Sequence, residues 1–276
     1  MGALQEVKTR LRTTLEPRSP ELQLLRLMLR PKVERSAAVV TSEYEGSWST
    51  YQPHLDRARH LDDWLKIPGV DDQPGCCVVD GDRRFGAFDS VTYYREALAE
   101  AIAEHFPQAR SVTEYGCGVG RNLLFLKQRF PELEAYGYEL CRHGVSIAQQ
   151  ASAKFKQPVQ YRQLDYVLGS RDDFAFPTTD LAFTLFSLEQ IPTQSRRALE
   201  NIRARVTRGS LHLEPVVENY PLSYRGLLGR LYHHRVDYLR HFERHAKSLE
   251  YARVEHRVLP SSHSPFLVPS LYVLKV

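Results

Sequence analysis

The chain has 276 residues, 42% hydrophobic and 25% charged, the make-up of a globular protein large enough to bury a core of its own. Its 37 basic and 33 acidic residues leave a formal charge of +4, too small and dispersed to mark a nucleic-acid-binding face, and no run of about 18 apolar residues marks a membrane span. Four cysteines, two of them adjacent as Cys76 and Cys77, match no zinc spacing, so neither a metal centre nor a disulfide framework is expected.

The opening stretch from Met1 to Arg10 lacks the apolar run of a secretory signal, and Glu6 stands where a myristoylation start needs Ser or Thr. A cytoplasmic protein, monomeric or homodimeric, is the expectation. Residues 3–35 read as two helices broken at Pro17 and Pro20, with Leu4, Val7 and Leu11 and then Leu22, Leu25 and Leu29 near helical spacing. The stretch from there to Pro74 is polar and aromatic, with Tyr44, Trp48, Tyr51, His54, His60 and Trp64 suited to packing on the main body or to covering a substrate. Gly75 to Phe88 has the pattern of a β-hairpin turning at Asp80-Gly81. Residues 1–88 are therefore expected to form a mainly helical cap or lid with a β-hairpin, and residues 89–276 the main domain.

Asp89-Ser90 caps a helix that runs through Tyr93, Leu98 and Ile102 and stops at Pro107. Strand and helix signals then alternate: strand 111–115, helix 120–130, strand 134–139, helix 143–154, strands 158–163 and 180–186, helix 194–206 and strand 209–216. A long helix near 222–248 follows, then two β-rich runs at 251–259 and 266–275 joined by a short link that suits an antiparallel pair. This alternation predicts an α/β fold with a doubly wound, mostly parallel sheet.

Ser111 to Asn122 joins the first of these strands to its helix through Gly116, Gly118 and Gly120. Glycine meets the positive φ of so tight a turn and leaves bare backbone where a ligand lies close, and the following helix start favours an anionic group. The G-x-G-x-G spacing departs from the dinucleotide fingerprint, and Arg121-Asn122 stand where a phosphate loop needs Lys followed by Ser or Thr. Glu114, two residues before the first glycine, is placed to accept from a ligand amine.

In an open α/β sheet ligands meet the carboxyl ends of the strands, which directs attention to the last residues of each. Glu139 ends the second strand, where a carboxylate can take both hydroxyls of a ribose. Asp165-Tyr166 end the third, Asp165 as an acceptor for an amino group or as the start of a turn, and Tyr166 as a stacking face. Ser187-Leu188-Glu189-Gln190 follow the fourth, and His212 and Glu214 share one face of the fifth, each an acid, base or cation-binding group or a structural residue. Tyr94 and Arg95, upstream of the loop, suit a cation and a carboxylate respectively, though an exposed helix arginine needs no such role. Further on, Tyr220, Tyr232, His233, His234, Tyr238 and His241 crowd one region, and the spacing of His234 and His241 is not that of a zinc site.

Glu114-Tyr115-Gly116-Cys117-Gly118-Val119-Gly120 resembles motif I of class I S-adenosylmethionine-dependent methyltransferases, with Glu139, Asp165 and Ser187 at later positions of that family's pattern. The resemblance covers about residues 89–276. It implies a Rossmann-like methyltransferase fold, a seven-stranded mostly parallel sheet with an antiparallel C-terminal hairpin, and S-adenosyl-L-methionine as cofactor. The implied cofactor-binding set is Tyr94, Arg95, Glu114, Gly116, Gly118, Gly120, Asn122, Glu139, Leu140, Asp165, Tyr166 and Ser187, with Glu189, Glu214, His212 and Tyr166 as catalytic candidates. Small-molecule members often carry Leu-Glu-His-Ile after the fourth strand; here Gln190 replaces the histidine and has no capacity as a base at neutral pH. The Asn/Asp-Pro-Pro-Tyr/Phe tetrapeptide of many base methylators is absent, so a small-molecule acceptor and no nucleic acid is the expectation. Loss of a group other than methyl, by cyclisation or aminocarboxypropyl transfer with release of methylthioadenosine, is the alternative outcome, and a non-catalytic binding module is the third.

Overall fold

The computed structural model describes residues 20–32, 34–66, 75–79, 82–86, 89–262 and 266–276. The helix expected before Pro17 and the turn at Asp80-Gly81 lie outside the described residues. The N-terminal elements are helices α1 (Pro20–Met28), α2 (Ala37–Ser49), α3 (Gln52–Arg57) and α4 (Leu61–Leu65), and the hairpin strands β1 (Gly75–Val79) and β2 (Asp82–Gly86). Helix α2 is started by Ser36, whose side chain accepts from the Val39 amide as an N-cap.

The alternating elements follow: α5 (Ser90–His105), β3 (Ser111–Tyr115), α6 (Arg121–Arg129), β4 (Glu134–Glu139), α7 (Arg142–Lys154), β5 (Val159–Gln163), β6 (Thr179–Leu185), α8 (Ser195–Arg203) and β7 (Val206–Glu214). Helices α9 (Tyr224–Val236) and α10 (Phe242–Lys247) and strands β8 (Arg253–Val258), β9 (Ser261–Ser262) and β10 (Ser270–Lys275) close the chain. Seven strands form one sheet in the order β5-β4-β3-β6-β7-β10-β8. Strands β3 to β7 pair in parallel, while β10 is antiparallel to both β7 and β8. Side chains leave the sheet alternately, as period two requires. Val112, Leu181, Phe183, Leu211 and Val273 pack with α5, α6 and α7 on one face, whereas Tyr115, Ala182, Tyr272 and Leu274 pack with α8 and α10 on the other. Leu55 and Trp64 from α3 and α4 belong to the first of these layers.

Three elements depart from the sequence expectation. The long helix over 222–248 is two helices, because Asp237 and His241 adopt left-handed backbone with φ of 56° and 61°. Asp237 is buried there, with its carboxylate accepting the Arg35 amide at 3.2 Å and pairing with Arg240. Helix α8 ends at Arg203 and β7 starts at Val206, three residues early, because the chain reverses through Ala204 and Arg205 and Val206 pairs with Thr179. The link before the last strand contains β9, which pairs with Cys77 and Val78 to make a second sheet in the order β2-β1-β9. No helix among the described residues is long and apolar enough to cross a membrane.

Candidate active site

The sheet order reverses direction at β3, which has β4 on one side and β6 on the other, so a crevice opens beyond the carboxyl ends of β3 and β6. The loop leaving β3 passes through it with φ of 77°, 52° and 78° at Gly116, Gly118 and Gly120. A Cβ on Gly116 would lie 1.9 Å from the Ser187 hydroxyl oxygen, and one on Gly120 would lie 2.5 Å from the Tyr161 oxygen. Both positions thus need glycine for backbone shape and for space.

This loop is tied from behind. The amides of Gly116 and Cys117 both donate to the Tyr138 carbonyl, at 2.8 and 2.9 Å. Glu139 spans the loop and the next helix, its carboxylate accepting from the Gly118 amide at 2.8 Å and the Cys141 amide at 3.0 Å. Burial pushes its pKa up, opposed by those two amides. Arg95 donates to the Asn122 side-chain oxygen at 3.1 Å and to the Leu65 carbonyl at 2.7 Å, and Asn122 in turn donates to Glu114 at 2.7 Å. The second oxygen of Glu114 is buried without a partner, and desolvation raises this carboxyl to about 8 against the Asn122 hydrogen bond and the Arg95 charge.

The facing wall comes from the turn after β6. Phe186 sits in the left-handed region at φ 53°, a strained setting for so bulky a residue, and it turns the chain into a single helical turn at Leu188–Gln190. Glu214 holds that turn. Its carboxylate accepts the amides of Ser187, Leu188 and Glu189 at 3.0, 3.1 and 3.2 Å. Ser187 also bonds the Tyr166 hydroxyl at 2.9 Å. Asp165 begins a turn, accepting the Val167 and Leu168 amides on one oxygen at 2.9 and 3.1 Å.

Helix α2 closes the crevice. Ala37, Val40, Tyr44 and Trp48 lie along one side of it and line a cavity together with Gly116, Glu139, Leu140, Leu164, Asp165, Tyr166, Val167, Phe186, Ser187, Gln190, Ile191 and Gln194. The Trp48 indole rests on the glycine loop, where a Cβ on Gly118 would lie 3.0 Å from it, and on α7, where one on Gly144 would lie 3.1 Å away. Its ring nitrogen lacks a hydrogen-bond partner of good geometry, yet it lies close enough to Glu139 to help hold that carboxylate charged.

Of the twelve residues expected around a cofactor, Gly116, Glu139, Leu140, Asp165, Tyr166 and Ser187 line this cavity. Glu114, Gly118, Gly120, Asn122 and Arg95 build the loop and its support behind it. Tyr94 is turned to the far end of the sheet link, donating its hydroxyl to the Pro260 carbonyl at 2.8 Å, with its ring against Phe186. Arg95 is not the exposed helix arginine that needs no role, since it is buried and anchors Asn122.

The four catalytic candidates separate by environment. His212 is fully buried, with one ring nitrogen 2.9 Å from the Thr184 hydroxyl and the other 2.8 Å from that of Ser210. Burial lowers its pKa to about 3, so it is a neutral, satisfied core residue. Glu214 is fully buried too, and its carboxylate is occupied by the three turn amides. Burial drives the Tyr166 phenol far up, which leaves it a neutral hydrogen-bonding group beside Ser187. Glu189 alone keeps an unspent carboxylate oxygen: one accepts from Gln190 at 2.8 Å and the other is buried without a partner. Glu189 and Glu214 lie close together and desolvation raises both, opposed at Glu214 by the three turn amides and at Glu189 by the Gln190 hydrogen bond and the Arg35 charge.

Tyr44 and Trp48 are expected from sequence only as packing or covering aromatics, and Ala37 and Val40 not at all, although the spacing at 37, 40, 44 and 48 is helical and one-sided. Among the described residues no group of three His, Cys, Asp or Glu side chains is arranged to hold a metal ion.

Residues 89–264 match the family model described as a methyltransferase domain. Magnesium protoporphyrin IX methyltransferase (ChlM) from Synechocystis PCC 6803, solved with bound SAM, superposes with a TM-score of 0.56 at 12% identity, over 90% of this chain and 100% of that one. The plantazolicin methyltransferase BpumL, solved with a triazolic desmethylPZN analog and SAH, superposes with a TM-score of 0.50 at 10% identity, over 67% of this chain and 84% of that one. At such identities the likeness is one of fold. No curated protein sequence matches the chain.

Proposed function

The chain belongs to the methyltransferase domain family, the class I S-adenosylmethionine-dependent methyltransferases, and from that premise we propose that it methylates a small molecule at the cavity between the glycine loop and helix α2. One observation carries the reading. The loop and the turn after β6 approach so closely that Gly116 has no room for a Cβ, and behind this pinch the buried Glu114 presents an oxygen with no partner. A ligand that brings an amine to Glu114 and lies along bare backbone fits that arrangement, and the methionine portion of S-adenosylmethionine is such a ligand.

Within this reading Glu114 accepts from the ammonium, and Asn122 and Arg95 position it. Glu139 takes the ribose hydroxyls, since a carboxylate has about four acceptor sites and two are in use. Leu140, Leu164 and Val167 give an apolar bed for the base, with Asp165 at its edge. Ser187, held by Tyr166 and by the Glu214-capped turn, borders the methionine end. When bound, the cofactor supplies a methyl group already made electrophilic by its sulfonium. The chain has then to align the acceptor and exclude water, and α2, with Tyr44 and Trp48, is placed to do the second. Residues 20–66 thus act as the cover of a catalytic domain that begins near Asp89.

The test has two arms. Calorimetry with S-adenosylhomocysteine should show saturable 1:1 binding, and incubation with S-adenosylmethionine and an acceptor panel should yield products heavier by one methyl group. Release of methylthioadenosine from the cofactor alone would overturn methyl transfer and support the alternative outcome.

A further inference from the structure

Beside the cofactor cavity the turn at Leu188–Gln190 presents two buried acceptors with nothing to accept. Glu189, 4% exposed, has one free carboxylate oxygen, and the side-chain oxygen of Gln190, 5% exposed, is likewise unpartnered. Adjacent unpaired buried acceptors are costly, and in a native fold they call for an explanation. Gln190 also lines the cavity, so the pair stands at its border.

The surroundings indicate what is missing. The Glu189 charge reaches the phenol groups of Tyr44, Tyr232 and Tyr238, each of which is pushed up by burial first and by this carboxyl next. Tyr44 belongs to the cavity wall, and the rings of Tyr232 and Tyr238 lie 6.1 Å apart in an edge-to-face pair. The nearby cation, Arg35, donates to Glu43 at 2.7 Å through one terminal nitrogen and lies 5.5 Å from the Tyr238 ring; its charge partly offsets that of Glu189, and its Nε has no partner. Asp237 is paired in turn with Arg240. At the cavity border itself the unspent groups are the Glu189 and Gln190 oxygens, beside the Tyr44 ring, and acceptor oxygens next to a ring suit a cationic or hydrogen-donating nitrogen.

We propose that Glu189, Gln190 and the Tyr44 ring form the acceptor subsite, and that it takes a molecule carrying a basic nitrogen. The proposal rests on the methyltransferase reading for the word acceptor, but the binding chemistry stands without it. Glu189 and Gln190 supply hydrogen-bond acceptors to the nitrogen, Tyr44 supplies a ring face or hydroxyl, and a carboxylate or phosphate finds no donor in these two oxygens.

Three probes with the same ring and different heads test it: 2-phenylethylamine, 2-phenylethanol and 3-phenylpropanoate, titrated by ligand-observed NMR with and without S-adenosylhomocysteine. The amine is expected to bind at least tenfold more tightly than the alcohol, and the acid least well. Glu189→Gln should bring the amine down to the level of the alcohol while leaving the affinity for S-adenosylhomocysteine within about twofold. Equal binding of amine and alcohol, tighter binding of the acid, no binding of any probe, or a preference that survives Glu189→Gln would overturn the proposal. If Glu189→Gln fails to fold, Gln190→Ala decides: a reduced amine preference supports the subsite and an unchanged one overturns it. Loss of S-adenosylhomocysteine binding by the wild-type protein would instead count against the function, and the amine preference measured without it would still be read.

Discussion

On the glycine-loop side the cavity wall is backbone, fixed from behind by the Tyr138 carbonyl, the Glu139 carboxylate and the Arg95–Asn122–Glu114 relay. On the α2 side it is side chain, where Trp48 packs on the loop and the Tyr44 ring lies against Trp48 with centroids 5.3 Å apart. The first wall has a shape that a substitution cannot adjust. The second can yield by moving a ring or the helix that carries it. The difference suggests a division of labour, with recognition on the rigid side and enclosure on the other, and substitutions should separate them.

The largest effect is expected at Gly116. An alanine there combines a φ of 77° with a contact of 1.9 Å to the Ser187 oxygen, so S-adenosylhomocysteine should bind about 100-fold more weakly, ~2.7 kcal/mol, by calorimetry. Circular dichroism should show the fold retained. On the other wall, Trp48→Ala removes a ring that packs on the loop but leaves the loop backbone and its hydrogen bonds in place, and about a tenfold loss is expected. A Trp48→Ala effect equal to that of Gly116→Ala would erase the distinction between the walls.

The same contrast decides how much was legible in advance. The glycine spacing, Glu114 and Glu139 are local patterns, and the rule about strand ends puts Glu139, Asp165 and Ser187 beside one crevice, whose cavity all three line. Trp48 reads in the sequence as a packing or covering aromatic without a place, because its partners, Gly118 and Gly144, lie far along the chain, and Ser, Thr, Glu and Gly residues around it hide the one-sided helical spacing. Glu214 and His212 were read correctly as sharing a strand face, but spacing gives no measure of depth. Both are fully buried, so one serves as the anchor of the 188–190 turn and the other as a satisfied core residue. The break at Asp237 was equally hidden, since it depends on the Arg35 amide, which is some 200 positions away at a separation of 202.

A smaller effect tests the relay through pH. Glu114 has its folded pKa raised to about 8 from 4.5, so the folded state holds the proton more firmly than the unfolded chain. Its contribution to stability is fully present below pH 4.5 and is lost as pH rises through 8. The ligand-free protein should therefore lose melting temperature over that window relative to Glu114→Gln. Parallel curves for the two proteins would show that Glu114 is not the buried, half-satisfied acceptor described. The smallest effect is expected at Gly46, an exposed position on α2 with nothing within 4 Å of an added Cβ. Gly46→Ala should stabilise the cover helix by up to ~1 kcal/mol and leave ligand affinity nearly unchanged. A marked loss of affinity would mean that bending of α2 is needed for entry.

The account turns on whether one ligand sits between the two walls. Titration with S-adenosylhomocysteine, followed by calorimetry and by tryptophan emission on the same samples, addresses this directly because the chain has two tryptophans and only Trp48 lines the cavity. Saturation at one ligand per chain, with an emission change that disappears in Trp48→Phe while the heat remains, is the predicted result. No heat, or heat with emission that ignores Trp48, would contradict it.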